Sequence, residues 1–298
     1  MAGWQFWRRS RNAQRRSSEE NSDKRTLMGR LFLRGVPYVL PKDMGEVNRL
    51  DFQHYMMRSA LRGNYAAPIG TPASILDVGC GTGRWAIEMA ALFPKARVVG
   101  LDVAVAQPGG DGTDAVAHPR NYSFVTGNIL EGMSFPDASF AYVHQRYMIG
   151  AIPRDQWPRT VAELVRVTQP GGWIELVEAG TSRGGGAALE TVDSWVASVL
   201  ARRGLDIHLG SQLRTILTQA GAHDVVMREI SLPLGPYGGR IGTLVESDYF
   251  AAVNAMRAPV VSLGIASEAD YDRTAAAARA EVQQGECVFP VYVVYGQR

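Results

Sequence analysis

Ser74-Ile-Leu-Asp-Val-Gly-Cys-Gly-Thr-Gly83 joins a short apolar run to an aspartate and then to three glycines at alternate positions. An apolar run of this length is typical of a buried parallel strand. The glycines permit a sharp turn and leave room for a ligand close to the backbone, because they carry no Cβ. The segment therefore predicts a strand followed by a nucleotide-binding loop.

The glycine spacing separates two classes of cofactor. A dinucleotide fingerprint follows G-x-G-x-x-G, with the third glycine at the helix that holds a pyrophosphate. Here Gly79, Gly81 and Gly83 follow G-x-G-x-G, and Arg84 comes next. Asp77, just before the loop, would repel a phosphate but suits a positively charged amino group. The spacing disfavours an NAD-linked dehydrogenase.

A second carboxylate ends the next apolar segment, Ala96-Arg-Val-Val-Gly-Leu-Asp102. An acid at this point of an open α/β sheet commonly binds the hydroxyls of a ribose. We therefore expect the glycine loop and Asp102 to form one site for a cofactor that contains a nucleoside.

Motifs in this order resemble the class I S-adenosylmethionine-dependent methyltransferases. The matching stretches are Leu76-Asp-Val-Gly-Cys-Gly-Thr-Gly83, Gly100-Leu-Asp102, Phe124-Val-Thr-Gly-Asn-Ile-Leu130, Ser139-Phe-Ala-Tyr-Val-His144 and Gln169-Pro-Gly-Gly-Trp-Ile-Glu175. The resemblance spans roughly residues 45–180. It implies S-adenosyl-L-methionine as the cofactor.

Two more segments narrow the resemblance to the LaeA-like group of secondary-metabolism methyltransferases. They are Arg49-Leu-Asp-Phe-Gln-His54, ahead of the glycine loop, and Gly83-Arg-Trp-Ala-Ile87, behind it. The resemblance implies methylation of an O, N or C nucleophile of a small molecule by direct displacement. A cofactor-binding regulatory protein with little turnover is the alternative. A DNA amino-methylating enzyme is disfavoured, because the chain has no N-P-P-Y or D-P-P-Y tetrapeptide.

Strand and helix candidates alternate over residues 74–178, which predicts a doubly wound α/β sheet. The resemblance implies a Rossmann-like sheet of about seven strands with the last strand antiparallel and with N-terminal helices before it. The sixth and seventh strand candidates are residues 224–232 and 288–295. The interval between them predicts a helical insert at about residues 233–286, which is longer than a hairpin requires. It is either a lid over the substrate pocket or a subunit interface.

Composition indicates one main domain, residues 31–298, behind a basic leader. Residues 1–30 hold eight Lys and Arg against three acids, which predicts a flexible tail or a clasp between subunits of a homo-oligomer. The chain has no long apolar stretch and only two cysteines, Cys80 and Cys287. We therefore expect a cytoplasmic protein without a disulfide framework, a metal, a membrane or a nucleic-acid partner.

The resemblance also implies particular cofactor contacts. Asp77 is expected to receive the methionine amino group, and Asp102 to hold the ribose. Asn128 is expected to accept a hydrogen bond from the adenine amino group, with Ile129 against the ring. Further predicted cofactor contacts are Gly79, Cys80, Gly81, Gly83, Val103, Gln145 and Gln53.

His144 is the first candidate for a catalytic base. It follows the fourth strand, whose carboxyl end faces the reacting centre in open α/β sheets, and histidine accepts protons near neutrality. The alternative is a histidine that only packs at a strand end. Glu178, which ends the fifth strand, is the second candidate base. Aromatic residues predicted to contact the methyl acceptor are Tyr38, Tyr147, Tyr237, Tyr249 and Phe250.

Overall fold

The fold is seen in a computed structural model that describes residues 48–104 and 118–298 in full, together with the backbone of residues 24–27, 30–33 and 44–47. Near the amino end, β1 (Lys24–Leu27) and β2 (Arg30–Leu33) pair antiparallel. Residues 1–23, which are most of the basic leader, and Tyr38 lie outside the described residues. The roles expected of them stay predictions.

A mixed sheet of seven strands forms the centre of the described protein, in the order β5-β4-β3-β6-β7-β9-β8. Its strands are β3 (Ser74–Val78), β4 (Arg97–Asp102), β5 (Tyr122–Thr126), β6 (Phe140–Arg146), β7 (Thr168–Ala179), β8 (His223–Leu234) and β9 (Cys287–Gln297). The strands from β3 to β7 are parallel, whereas β9 runs antiparallel between β7 and β8. The predicted Rossmann-like α/β sheet with an antiparallel last strand is confirmed.

Helices cover both faces of this sheet. The described helices longer than one or two turns are α1 (Met44–Leu61), α2 (Arg84–Leu92), α3 (Trp157–Val167), α4 (Ala187–Ala201), α5 (Leu213–Gln219), α6 (Gly239–Ser262) and α7 (Glu268–Gln284). None of the helices in the described ranges is long and apolar enough to cross a membrane.

Two apolar cores form because successive side chains of a strand point to opposite faces. In β6, Tyr142 packs in the core under α1, α2, α4, α6 and α7, whereas Val143 packs in the core under α3 and α5. The fully buried Trp157 anchors α3 in the second core and donates from Nε1 to the Ile152 carbonyl, 3.0 Å away. Burial of both strand faces explains the continuous apolar runs in the sequence.

The helical insert lies between β8 and β9, as predicted, and consists mainly of α6 and α7. These helices pack on the same face of the sheet as α1 and α4. α6 contacts α1, the helix that immediately precedes β3 and the glycine loop. The insert therefore neighbours the region that the sequence assigns to the cofactor.

Candidate active site

A cavity opens at the carboxyl ends of β3, β4 and β6 and is closed on one side by α1. Parallel α/β sheets place ligands at this edge, where the loops after neighbouring strands meet. Its lining includes all the predicted cofactor residues except Gly83 and Gln145, and it also includes His144 and Tyr147. Residues that are far apart in the sequence thus share one site.

The glycine loop adopts left-handed backbone angles, with φ of 71° at Gly79 and 73° at Gly83. The amide nitrogen of Gly79 donates to the carbonyl of Leu101, 2.8 Å away, which fixes the loop against β4. A Cβ on Gly79 would overlap the Met148 side chain, and one on Gly83 would lie 2.5 Å from Tyr122 Oη. A side chain at position 83 is thus excluded by the backbone angle and by Tyr122. Gly83 does not line the cavity, and its cofactor contact stays a prediction.

Asp102 ties the end of β4 to the glycine loop. Its Oδ2 accepts a hydrogen bond from the Gly81 amide, 2.9 Å away, and its Oδ1 accepts one from the Ala104 amide at 3.3 Å. The carboxylate also lines the cavity. Asp102 is therefore placed both to stabilise the loop and to bind a ligand.

Asn128 lines the cavity and also caps a short 3₁₀ helix that begins at Ile129. Its Oδ1 accepts from the Leu130 amide at 3.1 Å, and its Nδ2 donates to Glu131 Oε1 at 3.0 Å. An amide oxygen has two lone pairs, so the cap leaves one acceptor position on Asn128. The predicted contact with adenine stays a prediction.

Asp77 and His144 form a buried pair at the inner end of the cavity. They stand opposite each other on β3 and β6, and His144 Nδ1 lies 2.8 Å from Asp77 Oδ1. The imidazole stacks on Trp85, with ring centroids 3.9 Å apart and planes 7° apart. Donation from Nδ1 to the carboxylate leaves the lone pair on Nε2, for which the described residues supply no hydrogen-bond partner.

Residues of α1 hold this helix over the cavity. Asp51 accepts from Thr82 Oγ1 at 2.6 Å and from Arg84 Nη2 at 3.0 Å, so it binds both sides of Gly83. His54 Nε2 lies 3.2 Å from Glu88 Oε2, on α2. Side chains of the segment that resembles the LaeA-like group thus contact the cofactor loop and the helix that follows it.

The insert is linked to the cavity indirectly, by hydrogen bonds from α1 to a residue of α6. Asp248, on α6, accepts from Arg49 Nη1 at 3.0 Å and from Gln53 Nε2 at 3.1 Å. Gln53 lines the cavity, whereas no residue of the insert lines it in the described structure. The insert therefore supports the helix that closes the cavity, and its predicted role as a lid over substrate stays a prediction.

The aromatic residues of the insert do not line the cavity, and their contact with the acceptor stays a prediction. Tyr237 Oη donates to the Cys287 carbonyl at 2.6 Å, and Tyr249 Oη donates to Asp193 Oδ1 at 2.6 Å. Phe250 is buried, with the Arg279 guanidinium 4.4 Å from its ring centre. The two tyrosine hydroxyls thus hold the insert to the rest of the fold, whereas the Phe250–Arg279 contact joins α6 and α7 within the insert. Tyr147 does line the cavity and donates to Met57 Sδ at 3.0 Å.

Glu178 and Gln145 are also placed away from the cavity. Glu178 is completely buried and accepts from the amides of Met148 and Ile149, at 2.6 and 3.2 Å, so it stabilises the turn after β6. Burial raises the pKa of its carboxyl group to about 8. Gln145 follows His144 and is fully buried away from the cavity lining, because neighbouring residues of a strand point to opposite faces. Neither side chain lines the cavity, and the roles assigned to Glu178 and Gln145 stay predictions.

Arg146 also lines the cavity, a placement that the sequence motifs did not predict. Strand alternation was the signal that could have found it, because residues two apart on β6 share a face and His144 was already a candidate. Trp85, which supports His144, could have been found from its position one residue after Arg84 in the loop and helix motif.

Comparison with known proteins identifies the family. Residues 75–172 match the family model described as a methyltransferase domain. Methyltransferase str2 of Strobilurus tenacellus is 32% identical over 211 residues, which cover 67% of this chain and 72% of that protein. Secondary metabolism regulator laeA of Aspergillus fumigatus is 35% identical over 144 residues, 47% of this chain but only 36% of that protein.

A solved structure shares the fold. The SAM dependent methyltransferase from Archaeoglobus fulgidus superposes with a TM-score of 0.50 at 13% identity, over 86% of this chain and 100% of that chain. At this low identity, the structural likeness shows only that the two proteins share a fold. Membership of the family rests on the sequence relatives.

Proposed function

Since the chain belongs to the class I S-adenosylmethionine-dependent methyltransferases, in their LaeA-like group, we propose that it methylates a small molecule of specialised metabolism. The acceptor atom is an oxygen, nitrogen or carbon nucleophile. One observation carries the proposal: the glycine loop, Asp102 and the Asp77–His144 pair line a single cavity at the carboxyl edge of the sheet.

The cavity fits S-adenosyl-L-methionine, which supplies an electrophilic methyl group when it is bound. The loop residues Gly79, Cys80 and Gly81 line the cavity, and two of them have no side chain to hold a ligand away from the backbone. Asp102 would hold the ribose, and Asp77 would receive the methionine amino group. Asn128 and Ile129 would hold the adenine. Carboxylates and an amide at these places offer acceptors for the hydroxyl and amino groups of the cofactor.

His144 is the proposed proton acceptor for an oxygen or nitrogen nucleophile. Its Nδ1 is held by Asp77, and stacking on Trp85 fixes the ring plane. A base oriented in this way by a carboxylate presents its other nitrogen to the proton that it removes. The residues that line the cavity also hold the acceptor near the methyl group, and such positioning contributes much of the rate.

The proposed partner is a small-molecule methyl acceptor. Assembly as a homo-oligomer and a cytoplasmic location stay predictions from the sequence. The alternative of regulation without turnover is not favoured by the relatives, which include named methyltransferases, and product formation tests it directly.

The function is tested by calorimetric titration with S-adenosylmethionine and with NAD, followed by incubation with extracts of the native host. We expect binding of S-adenosylmethionine alone, and mass spectrometry should show a product heavier by one methyl group. Failure to bind S-adenosylmethionine would contradict the proposal. Binding without any methylated product would favour the regulatory alternative.

Replacing Asp102 with alanine should weaken S-adenosylmethionine binding about tenfold or more. The variant loses a charged hydrogen-bonding contact, which contributes about 1.5–3 kcal/mol. Calorimetry measures the change, and Asp155→Ala, at an exposed site outside the cavity lining, is the control. Affinity equal to that of the wild type would remove Asp102 from the cofactor site.

Replacing Asp248 with asparagine should destabilise the protein by about 3 kcal/mol and weaken cofactor binding. The Arg49–Asp248 pair is nearly buried, and removal of one charge leaves the other uncompensated. Urea unfolding and calorimetry measure the two effects. Asp272→Asn, which breaks an exposed ion pair between Asp272 on α7 and Arg257 on α6, is the matched control and should change neither. Normal cofactor affinity in Asp248→Asn would show that the insert does not support the site.

A further inference from the structure

Arg146 places a cation at the inner end of the cavity. It lies at the end of β6, two residues after His144, and therefore on the same face of the sheet. Arg146 is half-buried. Burial lowers the pKa of Arg146 from its ordinary value, while the negative charge of Asp77 opposes the shift. Arginine nevertheless stays protonated in proteins.

The described structure gives Arg146 no carboxylate within ion-pair distance. Its Nη2 lies 3.2 Å from His54 Nδ1. Burial, and next the charge of Arg146, lower the pKa of His54 to about 4, so the imidazole is neutral near pH 7 and accepts this hydrogen bond. His54 therefore satisfies one donor of the guanidinium without neutralising its charge.

The other arginine of the cavity differs in this respect. Arg84 also lines the cavity, but its Nη2 lies 3.0 Å from the Asp51 carboxylate. The carboxylate raises the pKa of Arg84 through a hydrogen bond. Of the two guanidinium groups, Arg146 is thus the one placed to bind an anion.

Charge and shape indicate which anion it binds. A largely enclosed guanidinium is costly when the charges of Asp77, Glu175 and Glu88 act on it only from beyond ion-pair distance, and a carboxylate matches its planar pair of donors. Asp77 offers the opposite charge on the neighbouring strand β3, where its backbone stands opposite that of His144. A carboxylate and a guanidinium close together complement the ammonium and carboxylate groups of an α-amino acid.

We propose that Arg146 binds the carboxylate of the methionine end of the cofactor while Asp77 binds its ammonium group. This inference rests on the proposed function, because it takes S-adenosylmethionine as the ligand. It gives His54 a positioning role, since the imidazole orients the Arg146 guanidinium from α1.

The test compares two ligands that differ by one group. S-adenosylmethionine carries the carboxylate, and decarboxylated S-adenosylmethionine keeps the ammonium but lacks it. Calorimetry on the full chain should show that Arg146→Gln weakens S-adenosylmethionine binding about ten- to a hundredfold. The same variant should not weaken binding of the decarboxylated ligand, because the lost contact is absent there.

Two further variants complete the test. Arg84→Gln is the matched control and should not discriminate between the ligands by more than about twofold. Arg146→Lys keeps the positive charge but loses the paired donors, so it should bind S-adenosylmethionine more tightly than Arg146→Gln does. It also serves as the test variant if Arg146→Gln does not fold. Circular dichroism checks the fold of each.

Equal effects of Arg146→Gln on the two ligands would overturn the assignment. The assignment would also be overturned if Arg84→Gln lost affinity for S-adenosylmethionine but not for the decarboxylated ligand. These outcomes are distinct from failure of the proposed function, in which the wild-type protein would bind neither ligand.

Discussion

Replacing His144 with alanine should lower turnover by about 10²- to 10⁴-fold for an oxygen or nitrogen acceptor, the range for loss of a positioned base. Affinity for S-adenosylmethionine should change only a fewfold, because Asp77 keeps its carboxylate. The acceptor found in host extracts is the substrate for steady-state kinetics, and calorimetry gives the affinity.

The control for this prediction is His223→Ala, at an exposed histidine paired only with Asp224 in the described structure. Turnover of His144→Ala within a fewfold of the wild type would reject the base. Equal losses of affinity and turnover would instead make His144 a positioning residue for Asp77. A carbon acceptor, which can react before a proton is removed, would then be favoured.

Replacing Trp85 with alanine should lower the free energy of unfolding by about 3–5 kcal/mol, the usual cost of emptying a large aromatic site. Trp85 is 2% exposed, and its Nε1 donates to the Asn64 carbonyl at 2.7 Å. Its ring also stacks on His144, so turnover should fall with stability. Urea unfolding followed by circular dichroism measures the loss.

Trp85→Phe is the matched variant for this prediction. It keeps an aromatic face for His144 but loses the Nε1 donor, so it should cost less than the alanine variant and retain more turnover. If both variants lose the same stability, the hydrogen bond to Asn64 and not the ring supports the site.

The cofactor loop was predictable because its information is local. An apolar strand of five residues, an acid and glycines at alternate positions require a strand, a turn and a following helix, and β3 and α2 begin at Ser74 and Arg84. Asp102 was predictable for the same reason, since it ends the next strand. The family resemblance then supplied the cofactor.

The partners of buried polar groups were not predictable in this way. Glu178 ends β7 as the sequence indicates, but its carboxylate is taken up by the amides of the turn after β6. Tyr249 belongs to the predicted insert, but its hydroxyl binds Asp193 on α4. Residue type and spacing specify that such groups need hydrogen bonds, and they do not say which distant group provides them.

The sequence by itself determined the alternating strands and helices and the glycine loop, because strand periodicity and glycine geometry act over a few residues. The resemblance of its ordered motifs to a known family then implied the class of cofactor. Only the tertiary structure decided that Arg146 and His54 meet beside the Asp77–His144 pair, and that the insert acts on the cavity through α1. These contacts join residues about 70 to 200 positions apart, and packing of the helices on the sheet brings them together.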